Sequence, residues 1–421
     1  MRKKLEDFSR AQLAQLAREY MVAAQFNSRT GYAALRMNHG DEAYKDIAID
    51  NWLAASPIYT QRMQQALGFA GSTDVATIFK GLQLDCGLTH QYFDAHFEVQ
   101  AEDKGRFWLA SCGPLLETEP RGEAAVKIMC HDIEDPTFDG TAIATNPRAR
   151  MRPVHRPPRV PVDRAPHCEW NVFIDHDAEP LIEPDVTRAL RQSQLAVLPI
   201  ARSDNRETGG MDFYHGKVFE QLCFEQFSHA ALVVICKELA IQNHLLILGL
   251  MMAVAKKYGK AAARTIAEFQ MMGSGWVMSE RLKKCFTDDE SSTQNNIDTM
   301  IEVLSVHPAF QPCEYHAFSI QKTSANNAEI HIADCIALHE AEDWALGWYS
   351  LLPQGKTAGL EAIIHGINPQ ATLTAGNSPL HWIINIDNTA PSVSDPLPVQ
   401  IAKGTVLYQT KLEDHIPLLQ A

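Results

Sequence analysis

The sequence predicts an α+β protein made of two tandem, diverged copies of one unit. Each copy is a helical lead followed by a β-β-α-β-β antiparallel sheet, and the two together form a pseudo-dimer. Three observations predict this. Apolar residues at helical spacing open each half of the chain. Short strand-like segments bounded by turn residues follow them. The halves then align with each other in both order and spacing.

The alignment starts without a gap: Phe8 meets Phe227, Ser9 meets Ser228 and Glu19 meets Glu238. In the same register Gly40 meets Gly259, Ala43 meets Ala262 and Arg62 meets Arg281. With small gaps, Phe107–Glu119 then matches Ile330–Glu342, Asn146-Pro147 matches Asn368-Pro369, and Cys168–Asp175 matches Leu380–Asp387. The copies therefore occupy residues 1–177 and 225–390, with 178–224 as a linker and 391–421 as an extended tail held by Pro391, Pro396 and Pro398.

Within copy one, Leu13, Leu16, Tyr20 and Met21 recur at helical spacing and define the first helix. Gln25–Met37 is a second helix and Ile47, Trp52 and Leu53 mark a third, with Gly40 as a cap between helices and Gly259 in the same role in copy two. Asp74–Leu84 is a short helix. Strands are expected at Tyr92–Gln100 and Arg106–Ser111 about the turn Glu102-Asp103-Lys104-Gly105. A helix at Pro136–Ala144 then leads to strands at Ala149–Val154 and Glu169–Asp175, with helices on one face of the sheet. The second helix is polar over much of its surface, whereas its counterpart His244–Val254 is nearly all apolar. That apolar helix is expected to lie either between the copies or at a homo-oligomer interface.

The 421 residues carry a net charge of −14, which argues against general nucleic-acid binding. The N-terminus has no apolar stretch after its basic residues, and the most apolar run, Leu239–Ala255, is interrupted by Gln242, Asn243 and His244. The expected setting is therefore cytoplasmic, with no membrane span. Nine cysteines without a framework spacing fit reduced thiols there.

Reactive residue types are densest from Cys130 to Cys168. From Pro147 to Trp170 copy one takes 23 steps, against 13 from Pro369 to Trp382, so it holds a ten-residue insertion. That insertion is rich in arginine and proline, and prolines stiffen a loop into a wall or lid. Three chemistries are open to it. His131, His155, His167 and Cys168 could hold a divalent metal such as zinc or iron. Cys130 beside His131 could be a nucleophile. Arg152, Arg156 and Arg159 could grip a carboxylate or phosphate. His131, Asp132, Glu134 and His155 are the candidate acid–base groups, although Asp132 and Asp135 also fit helix N-caps. Copy two has Leu352 and Leu380 in place of Cys130 and Cys168, which points to core packing for the two thiols.

The closing segments HCEWNVFID and SPLHWIINID resemble the end of small-molecule-binding domains of the vinyl-reductase type. The order of elements also resembles the family that includes L-2-amino-thiazoline-4-carboxylic acid hydrolase. The resemblance implies opening of a small heterocycle carrying a carboxylate. The expected function is thus hydrolysis of a small anionic molecule, metal-assisted or acid–base, in a pocket of copy one. A non-enzymatic sensor module and a structural or assembly protein are the rivals.

Overall fold

Two serines start the two longest stretches of helix. Ser9 accepts the Gln12 N–H while Gln12 reaches back to the Ser9 backbone, closing a capping box. Ser228 likewise accepts the Ala231 N–H. In the computed structural model, which describes residues 3–285, 296–341 and 343–409, α1 runs Arg10–Ala66 and α7 runs His229–Tyr258. The aligned Phe286 and Glu342, and the end of the tail beyond Gln409, lie outside the described residues. Gly40 (φ 83°, ψ 178°) breaks α1, and Gly259 (φ 88°, ψ 160°) separates α7 from α8 (Lys260–Cys285). Residues with a Cβ rarely adopt that conformation, so glycine fixes both corners. The expected first and second helices are one, because neither glycine nor proline stands between Tyr20 and Gln25.

α1, α7 and α8 pack together, and one apolar core runs through both halves. Two buried ion pairs cross between them. Arg62 Nε and Nη2 donate to Glu238, both at 2.8 Å. Arg281 Nε and Nη2 donate to Glu19 at 2.7 and 2.9 Å. Each arginine of one half thus meets the glutamate that the sequence register assigns to the other. Glycines allow close approach at the crossing: the Gln270 side chain is seated against Gly31, and Asn51 against Gly249. Although α7 is long and apolar enough to cross a membrane, its apolar window is wholly buried inside the protein. Residues 244–254 of α7 are among those enclosed by the chain's own helices.

In the first half, α2 (Val75–Gln83) precedes β1 (Phe93–Ala101) and β2 (Lys104–Cys112). Then come α3 (Gly113–Thr118), α4 (Glu123–Lys127), α5 (Glu134–Ile143), β3 (Ala149–His155) and β4 (Cys168–Ile174). The connecting segment contains α6 (Asp185–Leu190). In the second half, α9 (Ile297–Val306) precedes β5 (Phe318–Lys322), β6 (Asn327–Ile332), α10 (Ala358–Ile367), β7 (Ala371–Ala375) and β8 (His381–Ile386). The two antiparallel sheets share a strand order, β1-β2-β4-β3 and β5-β6-β8-β7, and the fold is α+β. They also share register. Phe107 pairs with Trp170 and Ile330 with Trp382, while Met151 pairs with Val172 and Leu373 with Ile384.

Two expectations need correction. The tail is not extended throughout: it forms α11 (Leu397–Lys403) and α12 (Val406–Gln409), burying Val399, Ala402 and Leu407. The helix expected at Pro136–Ala144 starts earlier, because α4 passes into α5 through a π-helical turn, Ile128–Ile133. Cys130, His131 and Asp132 therefore sit inside a helix.

Candidate functional site

That π-helical turn aims one stripe of the helix inward. Met129, Ile133, Glu134, Thr137, Phe138 and Thr141 recur at helical spacing and line a cavity. Wide turns of this kind are frequent at functional sites because they shift the register of a helix face. The cavity holds about 970 Å³ of atom-free space, its mouth included. It lies between the helix, the sheet and both arms of α1. Its lining is mainly apolar, with Trp52, Phe93, Phe107 and Leu109 among the walls. Phe107 stacks on Trp170 at 6.3 Å, and Phe138 meets Trp170 edge-on at 4.7 Å, so α5 is fastened to the sheet behind the cavity.

Three charged residues share this lining. Glu134 faces the cavity, and burial pushes its carboxyl up to about 8, only partly opposed by Arg156. Asp85 accepts hydrogen bonds from Tyr59 Oη (2.8 Å) and the Gly87 N–H (2.6 Å). Burial raises it to about 6, and among the described residues it has no cationic partner. Arg29, one turn below Gln25 on α1, places Nε 3.3 Å from Glu117 and Nη2 3.5 Å from Tyr92 Oη. Burial alone would weaken the charge on Arg29, but Tyr92, Glu117 and Tyr44 reverse that and keep it a cation.

Of the residues singled out in the sequence, Glu134 alone lines the cavity. His131 Nε2–H donates to Pro157 O at 2.7 Å, and His155 Nε2–H to Pro166 O at 3.0 Å. Both rings thereby hold the proline-rich loop against its supports. His167 is buried and accepts the Cys112 N–H on Nδ1 at 3.0 Å. Cys168 is buried at the start of β4, and burial pushes its thiol far up, as it does that of Cys130. Asp132 is exposed and Asp135 pairs with Arg156; neither caps a helix start. Among the described residues no three His, Cys, Asp or Glu side chains are grouped to hold one ion.

The three arginines of the loop are also engaged. Arg152 Nη1 meets both oxygens of Asp139 at 2.9 Å. Arg156 pairs with Asp135 and lies 5.8 Å from the centre of the Trp170 ring. Arg159 grips Glu119 bidentately at 2.8 Å and stands 3.2 Å from His167 Nε2. They staple the insertion to the outside of the helix and sheet, while Arg29, Asp85 and Tyr59 are the cavity groups that the sequence search passed over. One signal did point to Arg29. Gln25, Ser28, Arg29 and Tyr32 form the polar stripe that sets the Gln25–Met37 segment apart from His244–Val254, and that stripe is cavity wall.

No known protein family, curated protein or solved structure matches this chain.

Proposed function

We propose that the cavity of the first half is an active site for acid–base hydrolysis of a small, largely apolar molecule carrying one anionic group. The observation that carries this is the meeting of Glu134, Asp85 and Arg29 on the walls of one mainly apolar cavity. At pH 7 Glu134 is mostly protonated and Asp85 mostly ionised. Environments that separate two carboxyl groups in this way assign acid and base. Asp85, oriented by Tyr59, would take a proton from the attacking water, and Glu134 would give one to the leaving atom. Arg29 would face the anionic group, the role expected of Arg152, Arg156 and Arg159 from the sequence. We also infer that the two halves are diverged copies meeting as a pseudo-dimer. The shared strand order and register support this, as do the reciprocal ion pairs: in a two-fold interface, if i contacts j then j contacts i.

The test is a panel of aryl and heterocyclic carboxylic acids bearing a hydrolysable amide or ester. Turnover should rise through about pH 6 and fall through about pH 8. E134Q should lose on the order of 10²-fold or more in kcat and also the falling limb, with binding retained. A panel member that binds in the cavity yet is never turned over would favour the sensor reading, which the apolar majority of the lining also suits. Equal turnover by E134Q and D85N would remove the catalytic assignment.

A further inference from the structure

The second half carries a smaller cavity in the corresponding place, with about 390 Å³ of atom-free space, mouth included. Its α7 wall is His244, Ile247 and Leu248. The gap-free register sets these opposite Gln25, Ser28 and Arg29 of the first cavity. The register of the sheets likewise sets Glu340 opposite Glu117. In the first half that glutamate has an arginine, Arg29, 3.3 Å away. In the second half the glutamate is kept and the arginine is Leu248.

Glu340 is only 7% exposed. One carboxylate oxygen accepts from the Leu195 N–H (2.9 Å) and Tyr315 Oη (3.0 Å), and the other from the Gln194 N–H (3.1 Å). These neutral donors satisfy the oxygens but leave the charge uncancelled, and among the described residues no cation pairs with it. The cavity's other walls are largely aromatic, with Tyr315, Trp344, Trp348 and Tyr349, and include His316, whose Nε2 lies 3.1 Å from His244 Nε2. His244 does not supply a positive charge, since burial pushes it down to about 4 and it faces the carbonyls of Pro308 and Gln311. Aromatic faces around a buried carboxylate attract an ammonium group, whose soft charge the ring quadrupoles stabilise. A metal cation would need several oxygen ligands, and this wall offers one carboxylate.

We infer that the second cavity binds a small free organic ammonium ion, which takes the place that the Arg29 guanidinium occupies in the first half. It does not depend on hydrolysis in the first cavity. Choline chloride titrated into the full chain, followed by tryptophan fluorescence and calorimetry, is the test. Choline should bind saturably, and its neutral carbon isostere 3,3-dimethylbutan-1-ol at least ~10-fold more weakly. E340Q should weaken choline at least ~10-fold. L248R, which supplies the missing guanidinium, should abolish binding while keeping the circular dichroism and melting temperature of the parent. If E340Q does not fold, L248R decides alone. E134Q should bind choline as the parent does. The inference is overturned if the folded parent shows no saturable choline binding below ~10 mM, if the isostere binds equally, or if L248R leaves binding intact.

Discussion

Replacing Glu134 by glutamine tests the physical core of the site without any substrate. Its carboxyl is raised from an ordinary 4.5 to about 8, chiefly because the cavity wall strips it of water. A tenfold change in proton affinity is worth ~1.4 kcal/mol, so the rise corresponds to an upper bound on the order of 5 kcal/mol. The sign follows from proton counting. Below about 4.5 the carboxyl is protonated in both folded and unfolded chains and imposes no penalty. Between 4.5 and about 8 only the unfolded chain ionises, so stability falls as pH rises. Above about 8 the full penalty persists. E134Q has no proton to lose, so its stability minus that of the parent should grow by several kcal/mol between about pH 4.5 and pH 9. Asp85 also shifts upward by burial, but it is present in both proteins and cancels from the difference. Urea unfolding at stepped pH measures this directly. A difference that stays flat across that range would mean Glu134 is solvated, and the acid role would fall with it.

The crossing ion pairs should behave alike: R62M and R281M each strand a buried glutamate and should cost ~3–5 kcal/mol in urea unfolding. The double replacements R62M/E238M and R281M/E19M should recover most of that loss. Alanine at Gly40 or Gly259 should cost ~1–3 kcal/mol, read as a lower melting temperature, because both backbones sit where a Cβ is strained. His244 is pushed down from 6.5 to about 4 by burial. Its contribution is present above 6.5 and lost as pH falls toward 4, on the order of 3 kcal/mol, so H244Q should flatten the acid side of the stability profile over that window.

The sheets and their order were legible because alternation and turn residues are local signals, and the glycine corners because backbone sterics are local too. Where two helices join was not: the break at Gly40 is marked by a residue, whereas the continuity from Tyr20 to Gln25 is marked only by the absence of one. The site was half legible. Glu134 was found, but for its neighbours, since the conspicuous residues around it turned out to be engaged with the loop's own carbonyls and carboxylates. Density of reactive residue types in sequence measured how much stapling a ten-residue insertion needs. Arg29 and Asp85 lie far from that stretch in sequence and reach the cavity only once α1 folds over the sheet. The trace of Arg29 was the contrast between a polar helix and its apolar counterpart; Asp85 left none.

The same contrast explains why the halves can share a core and still differ in what their cavities offer. Changing Arg62 or Glu238 alone would leave a charge buried between the halves, so the pairs at the crossing can change only together. Arg29 pairs with a glutamate of its own half. Glu117, its partner, is near the surface end of α3, and the equivalent Glu340 has acquired two backbone N–H groups from the connecting segment. The tail supplies a counterpart in the first half, where Glu117 accepts the Leu407 N–H at 3.3 Å. On the duplication reading, Glu340 is held by two backbone N–H groups and a tyrosine hydroxyl where Glu117 has one such N–H and a guanidinium. On that reading, Leu248 in place of an arginine leaves room beside Glu340 for the ammonium ion inferred above. In the first half Arg29 remains beside Glu117 and puts a positive charge on the cavity wall. On the inference drawn above, the two cavities would differ in charge preference through the exchange of Arg29 for Leu248.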